Sequence, residues 1–181
     1  MKRTKYPIHP DFQKWANMNP PLHKATIPVM QKLMGLLFTR ERSTADVTVE
    51  WKVIPVDGGT IRALWYCPNG VGEHAPCLLY YHGGGFVLPA APYHYSLPKE
   101  YAQRAHCKVL FVDYRLAPRF PFPTAPEDCY SAYVWAAANA GDLSIDTSRM
   151  AVAGDSAGGA LATVVCLMAK ERGQLMPCGQ M

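Results

Sequence analysis

The chain of 181 residues is 49% hydrophobic and 18% charged, long enough for one domain with a substantial core and too apolar for a disordered tail or linker. Its formal net charge of +4 gathers at the start, where residues 1–43 carry Lys2, Arg3, Lys5, Lys14, Lys24, Lys32, Arg40 and Arg42 against Asp11 and Glu41. A solvated helical face accounts for that bias, so no nucleic-acid partner is expected. The longest apolar run, Ala160 to Ala169, has about half the length of a bilayer span. The opening Met1-Lys2-Arg3-Thr4-Lys5 leads into Tyr6-Pro7-Ile8-His9-Pro10 rather than a signal-peptide core. These features predict no membrane span and a cytoplasmic protein. The six cysteines form no C-x-x-C pair, which favours buried reduced thiols over a metal or disulfide framework; no metal or cofactor is expected.

In chain order, residues 1–45 read as helices set apart from the rest. After Pro20-Pro21, the residues Ile27, Met30, Leu33, Met34, Leu37 and Phe38 recur at three- and four-residue steps, the pattern of one amphipathic helix. Alternation then predicts strands over Val47–Ile54 and Ile61–Tyr66, joined by Val56-Asp57-Gly58-Gly59 into an antiparallel hairpin. Three short runs are too uniformly apolar for a half-exposed sheet: Cys77–Tyr81, Val109–Val112 and Met150–Ala153. They read as central parallel strands. Helical stretches over Tyr95–His106, Ala125–Asn139 and Ala157–Arg172 complete a β-α-β-α-β-α order, an α/β domain over 46–181.

The sharpest chemical signal is Gly154-Asp155-Ser156-Ala157-Gly158-Gly159, at the exit of a predicted strand and the entrance of a predicted helix. A serine on such a turn is thrust out at the strand's carboxyl end, and flanking glycines allow the backbones to approach. A second signal, His82-Gly83-Gly84-Gly85-Phe86, directly follows the Cys77–Tyr81 strand. Consecutive glycines expose N–H groups, which the transition state of acyl transfer needs as oxyanion donors. A phosphate cradle would require Lys-Ser or Lys-Thr at the next helix start, and Phe86-Val87-Leu88-Pro89 stands there instead. A dinucleotide-binding domain is disfavoured for want of its glycine-rich turn and downstream acid.

With these two boxes, Asp113-Tyr114-Arg115-Leu116-Ala117-Pro118 and Phe120-Pro121-Phe122-Pro123 through Ala125-Pro126-Glu127-Asp128, the chain resembles the hormone-sensitive-lipase-like family of α/β-hydrolases, over most of its length. The resemblance implies an α/β-hydrolase fold with a mostly parallel sheet, an N-terminal helical cap formed in part by residues 1–45, and hydrolysis of short-chain carboxylic esters. It further implies Ser156 as nucleophile and the backbone N–H groups of Gly84, Gly85 and Ala157 as oxyanion hole. His82 is expected to shape the glycine loop, and Asp155 either to orient nearby groups or simply to form the turn. Arg119 departs from the glutamate that similar proteins carry after Leu-Ala-Pro. Tyr93, His94 and Tyr95 are expected as packing or as a border of the pocket. Asp113 and Arg115 read as a structural polar pair, Cys166 and Met168 as core.

In α/β-hydrolases the triad acid and histidine follow the serine in sequence. Here Glu171 is the only later acid and no histidine follows His106. The expectation is therefore that a second polypeptide or a further C-terminal segment supplies both, that the strand before Ser156 presents a long apolar edge, and that self-association is possible. The competing reading is a non-catalytic hydrolase-like module that binds or pairs without turnover.

Overall fold

The computed structural model describes residues 7–15, 23, 25–38 and 42–181. Most of the basic leader, Pro20-Pro21, Lys24 and Arg40 lie outside the described residues. Strands β1 (Val47–Val56) and β2 (Gly59–Pro68) form the expected hairpin, paired from Val47↔Pro68 to Val56↔Gly59. β3 (Ala75–Tyr81), β4 (Lys108–Asp113) and β5 (Ile145–Gly154) are the three apolar runs. β3 lies between β4 and β5 and is parallel to both, while β2 joins β4 antiparallel. The sheet order is β1-β2-β4-β3-β5-β6, with β6 the dipeptide Gly179–Gln180.

The apolar runs reflect burial on both faces. Leu110 and Val112 of β4 pack with Leu79 and Tyr81 of β3 against α3 (Thr124–Ala138) and α5 (Ala157–Glu171). The alternate residues Val109 and Phe111, with Leu78 and Tyr80, face the other way toward α2 (Pro92–Ala105). Cys166 and Met168 belong to the α3–α5 side of the core, as expected. A short helix α4 (Ala140–Leu143) and an early start of β5 escaped the sequence reading. Lys108 explains part of that: its buried ammonium donates to the carbonyls of Leu143 and Ser144, tying the α4–β5 corner to β4.

Two expectations need correction. The bare edge predicted for β5 is paired instead: Ala151 and Val152 face Gly179 and Gln180, Cys178 N–H donates to Met150 O at 2.7 Å, and Gln180 Nε2 donates to Thr163 Oγ1. The backbone of residues 178–181 thus satisfies the carboxyl-terminal half of that edge, from Met150 to Gly154. Asp113 and Arg115 do not pair with each other. Asp113 meets its cross-strand neighbour Arg62 at 3.2 Å, whereas Arg115, beyond the end of β4, turns to the buried Asp128 of α3 at 2.6 Å.

The predicted N-terminal helix is α1 (Ile27–Phe38), but its inward face differs in one position. Ile27 is buried and Met30, Gln31 and Met34 are half-buried, the i, i+3, i+4, i+7 stripe, while Leu33 is 56% exposed. At 100° per residue Leu33 falls on the opposite side and Gln31 takes its place.

Candidate active site

Three parallel strands end at one rim of the sheet, and the loops leaving β3 and β5 meet there. Ser156 sits where β5 turns into α5, with φ 50° and ψ −115°, a conformation that L-residues rarely adopt. It is held by close backbone packing. A Cβ on Gly158 would overlap the carbonyl of Tyr81, and one on Gly154 would overlap Gly158. The helix therefore starts directly against the ends of β3 and β5, and the serine is left exposed above them.

The glycine loop has its own constraints. A side chain at Gly83 would strike the Asp155 carboxylate, and one at Gly84, where φ is +125°, would stand 2.5 Å from Leu88 O. Gly85 adopts φ +61°, and its Cβ would meet nothing within 4 Å. The N–H groups of Val87 and Leu88 close the loop on Gly84 O at 3.1 and 2.8 Å. The N–H groups of Gly84, Gly85 and Ala157 have no hydrogen-bond acceptor among the described residues.

Asp155 ties the two loops together. Its Oδ1 accepts from the Tyr80 hydroxyl and from Gly83 N–H, both at 2.9 Å, and its Oδ2 accepts from His94 Nε2 at 3.1 Å. Because Ala91 N–H donates to His94 Nδ1 at 2.8 Å, the imidazole carries its proton on Nε2. Burial raises the Asp155 carboxyl, but the donors from Tyr80, Gly83 and His94 outweigh it and hold it below its ordinary range. The Asp155 carboxylate thus reaches beyond its own turn to β3, the glycine loop and α2.

His82 is fully buried. Its Nδ1 lies 2.6 Å from Gly83 O, its ring stacks on Tyr114 at 4.4 Å, and Tyr114 donates its hydroxyl proton to His82 O at 2.7 Å. Burial pushes its pKa down to about 4, so it is neutral at pH 7. Nε2 is buried without a partner among the described residues. Both histidines at the site are thus engaged with the loop scaffold rather than with Ser156. Tyr95 is buried in the core, and Tyr93 is exposed with its ring against His94. Sequence reasoning missed Tyr80 and His94 as partners of Asp155, because nothing in a strand or helix pattern marks which residues a loop will reach.

Beside the glycine loop lies an apolar cavity of about 500 Å³, lined by Gly85, Phe86, Phe120, Phe122, Leu161 and Val164 among others. Arg119 is exposed, and its guanidinium rests over the ring of Phe120, a cavity residue, at 5.2 Å. The described residues contain no cluster of metal-ligating side chains and no helix long and apolar enough to cross a membrane.

Residues 78–181 match the family model described as the alpha/beta hydrolase fold. The chain is 45% identical over 120 residues to the carboxylic ester hydrolase LipN of Mycobacterium tuberculosis, a match covering 66% of this chain and 32% of that protein. It is 32% identical to human hormone-sensitive lipase over 97% of this chain and 16% of the lipase. Among solved structures it resembles an esterase of Pyrobaculum calidifontis, with TM-score 0.78 and 38% identity over 96% of this chain and 57% of that one. The chain spans less than two thirds of the length of each of these relatives.

Proposed function

The chain belongs to the α/β-hydrolase family, on its hormone-sensitive-lipase-like branch, and we propose that the whole protein hydrolyses carboxylic esters with Ser156 as nucleophile. The observation that carries this reading is the exposed Ser156 hydroxyl on a left-handed turn, next to the glycine loop with its unengaged N–H groups. Relatives named as esterases and carboxylic ester hydrolases support the same class of reaction.

In this reading Ser156 Oγ attacks the ester carbonyl and passes its proton to a histidine base. The carbonyl oxygen becomes an oxyanion held by the N–H groups of Gly84, Gly85 and Ala157. The base returns the proton to the leaving alcohol, and water then attacks the acyl-serine by the same path in reverse. His82 Nδ1 and both ring nitrogens of His94 are engaged with the loop scaffold, and this reading assigns the base and its orienting acid to a further segment or a second polypeptide. The apolar cavity receives the hydrophobic portion of the ester, since its wall begins at Gly85 itself.

The test is covalent labelling of the whole protein with a fluorophosphonate, followed by digestion and peptide mapping. Label on the peptide containing Ser156, lost in Ser156→Ala, is expected. Label that persists in that variant rejects the assignment, and a protein that neither labels nor turns over esters is the non-catalytic module.

A further inference from the structure

Gln31 is a half-buried polar residue in the inward stripe of α1, and its side-chain amide is hydrogen-bonded to the body of the domain. Nε2 donates to Val87 O and to Ala117 O, each at 2.7 Å, so both amide hydrogens are used. Those two carbonyls belong to the glycine loop and to the loop after β4, and the same loops are joined directly by Ala117 N–H donating to Phe86 O at 3.0 Å. The result is a closed ring of three hydrogen bonds. Val87 is anchored in turn to Gly84 O through its own N–H. A displacement of α1 therefore acts through two hydrogen bonds on the Gly84–Gly85 peptide, which presents the Gly85 N–H and adjoins that of Gly84.

We propose that Gln31 is a positioning residue that staples the N-terminal helix to the oxyanion loop, so that α1 sets the aim of the Gly84 and Gly85 N–H groups and one wall of the ester pocket. This inference rests on the reading of the site given above for its catalytic consequence, though not for the staple itself. Three details support it. The two acceptors come from loops 30 residues apart in sequence, so no local turn provides the link. Both Val87 and Ala117 line the apolar cavity. Finally, a side chain with at least two N–H donors on one nitrogen can serve both carbonyls at once, and the glutamine amide does so here. Methionine at this position keeps the length and helix propensity and removes both donors; lysine keeps an N–H donor group on a flexible stem.

The experiment uses the whole protein with Gln31→Met and Gln31→Lys, and reads two quantities. Hydrogen exchange of the peptides containing Val87, Leu88 and Ala117 is expected to accelerate in Gln31→Met and to return toward wild type in Gln31→Lys, with β3 unchanged. In ester hydrolysis kcat is expected to fall about tenfold or more with KM nearly constant, because a shifted donor is felt where the oxyanion forms. Unchanged exchange at those amides in Gln31→Met overturns the staple, and unchanged kcat overturns its role in positioning. If the wild-type protein turns over no ester, the proposed function fails while the exchange measurement still decides the staple. Should Gln31→Met not fold, Gln31→Asn, whose amide stops one methylene short, takes its place with the same expected outcomes.

Discussion

Replacing Asp155 with alanine removes the acceptor that three donors from three elements share. The Tyr80 hydroxyl on β3, Gly83 N–H and His94 Nε2 on α2 all lose their partner. Each hydrogen bond to a carboxylate is worth about 1.5–3 kcal/mol, and an unsatisfied buried donor costs a similar amount. The Asp155 side chain is 34% exposed, so water reaches part of the vacated site, but His94 at 3% has no such relief. Allowing for rehydration of Gly83 N–H, the expected loss is about 2–4 kcal/mol of stability. Asp155→Asn keeps one oxygen for Tyr80 and Gly83 and turns an NH₂ toward the protonated Nε2 of His94, a smaller loss of about 1–2 kcal/mol. The assay is urea unfolding of the whole protein followed by circular dichroism. The depressed carboxyl adds a signature, because its stabilisation is complete above the unfolded value near pH 4 and disappears as pH falls through the lower folded value. The variants should lack that part of the acid sensitivity. A midpoint for Asp155→Ala equivalent to wild type within about 0.5 kcal/mol would refute the clamp.

His82 predicts a second pH effect at a different place on the scale. Its folded pKa of about 4 lies below the unfolded value of 6.5, so the unfolded chain binds the extra proton first and stability declines as pH drops from 6.5 toward 4. The full shift is worth roughly 3 kcal/mol, and His82→Phe should abolish that window in a pH series of urea midpoints. Ser156→Gly should raise the melting temperature while ending fluorophosphonate labelling. Relief of the positive φ at Ser156, worth about 1–3 kcal/mol, outweighs the added chain entropy of glycine at about 1 kcal/mol or less; a lower melting temperature would contradict the strain.

The parallel strands, the hairpin and the placement of both glycine boxes were legible because each rests on a local rule. Uniformly apolar runs require two covered faces, and a serine between a strand and a helix requires small neighbours. What escaped depends on distant partners. Asp113 and Arg115, two residues apart, read as a pair, yet strand register gave Asp113 to Arg62 and helix α3 gave Asp128 to Arg115. The helical repeat was recognised for α1, but including Leu33 hid the polar Gln31 in the inward stripe, where a count at 100° per residue would have found it. The role of Asp155 was open in the sequence because one acid at a turn is compatible with capping, orientation or neither; its three donors come from residues 80, 83 and 94.

The three adjacent glycines after His82 are glycines for separate reasons, and that gives them unequal freedom to vary. Gly83 is barred by the carboxylate of Asp155, so any replacement first dismantles the clamp between the loops. Gly84 is barred by the Leu88 carbonyl and by its backbone angle. Gly85 is restricted by its angle alone, at a value asparagine tolerates, and a side chain there would project into open space at the mouth of the cavity. Under the proposed function, the third position of this motif is then the one from which the range of accepted esters can drift in small steps, each compatible with a folded protein.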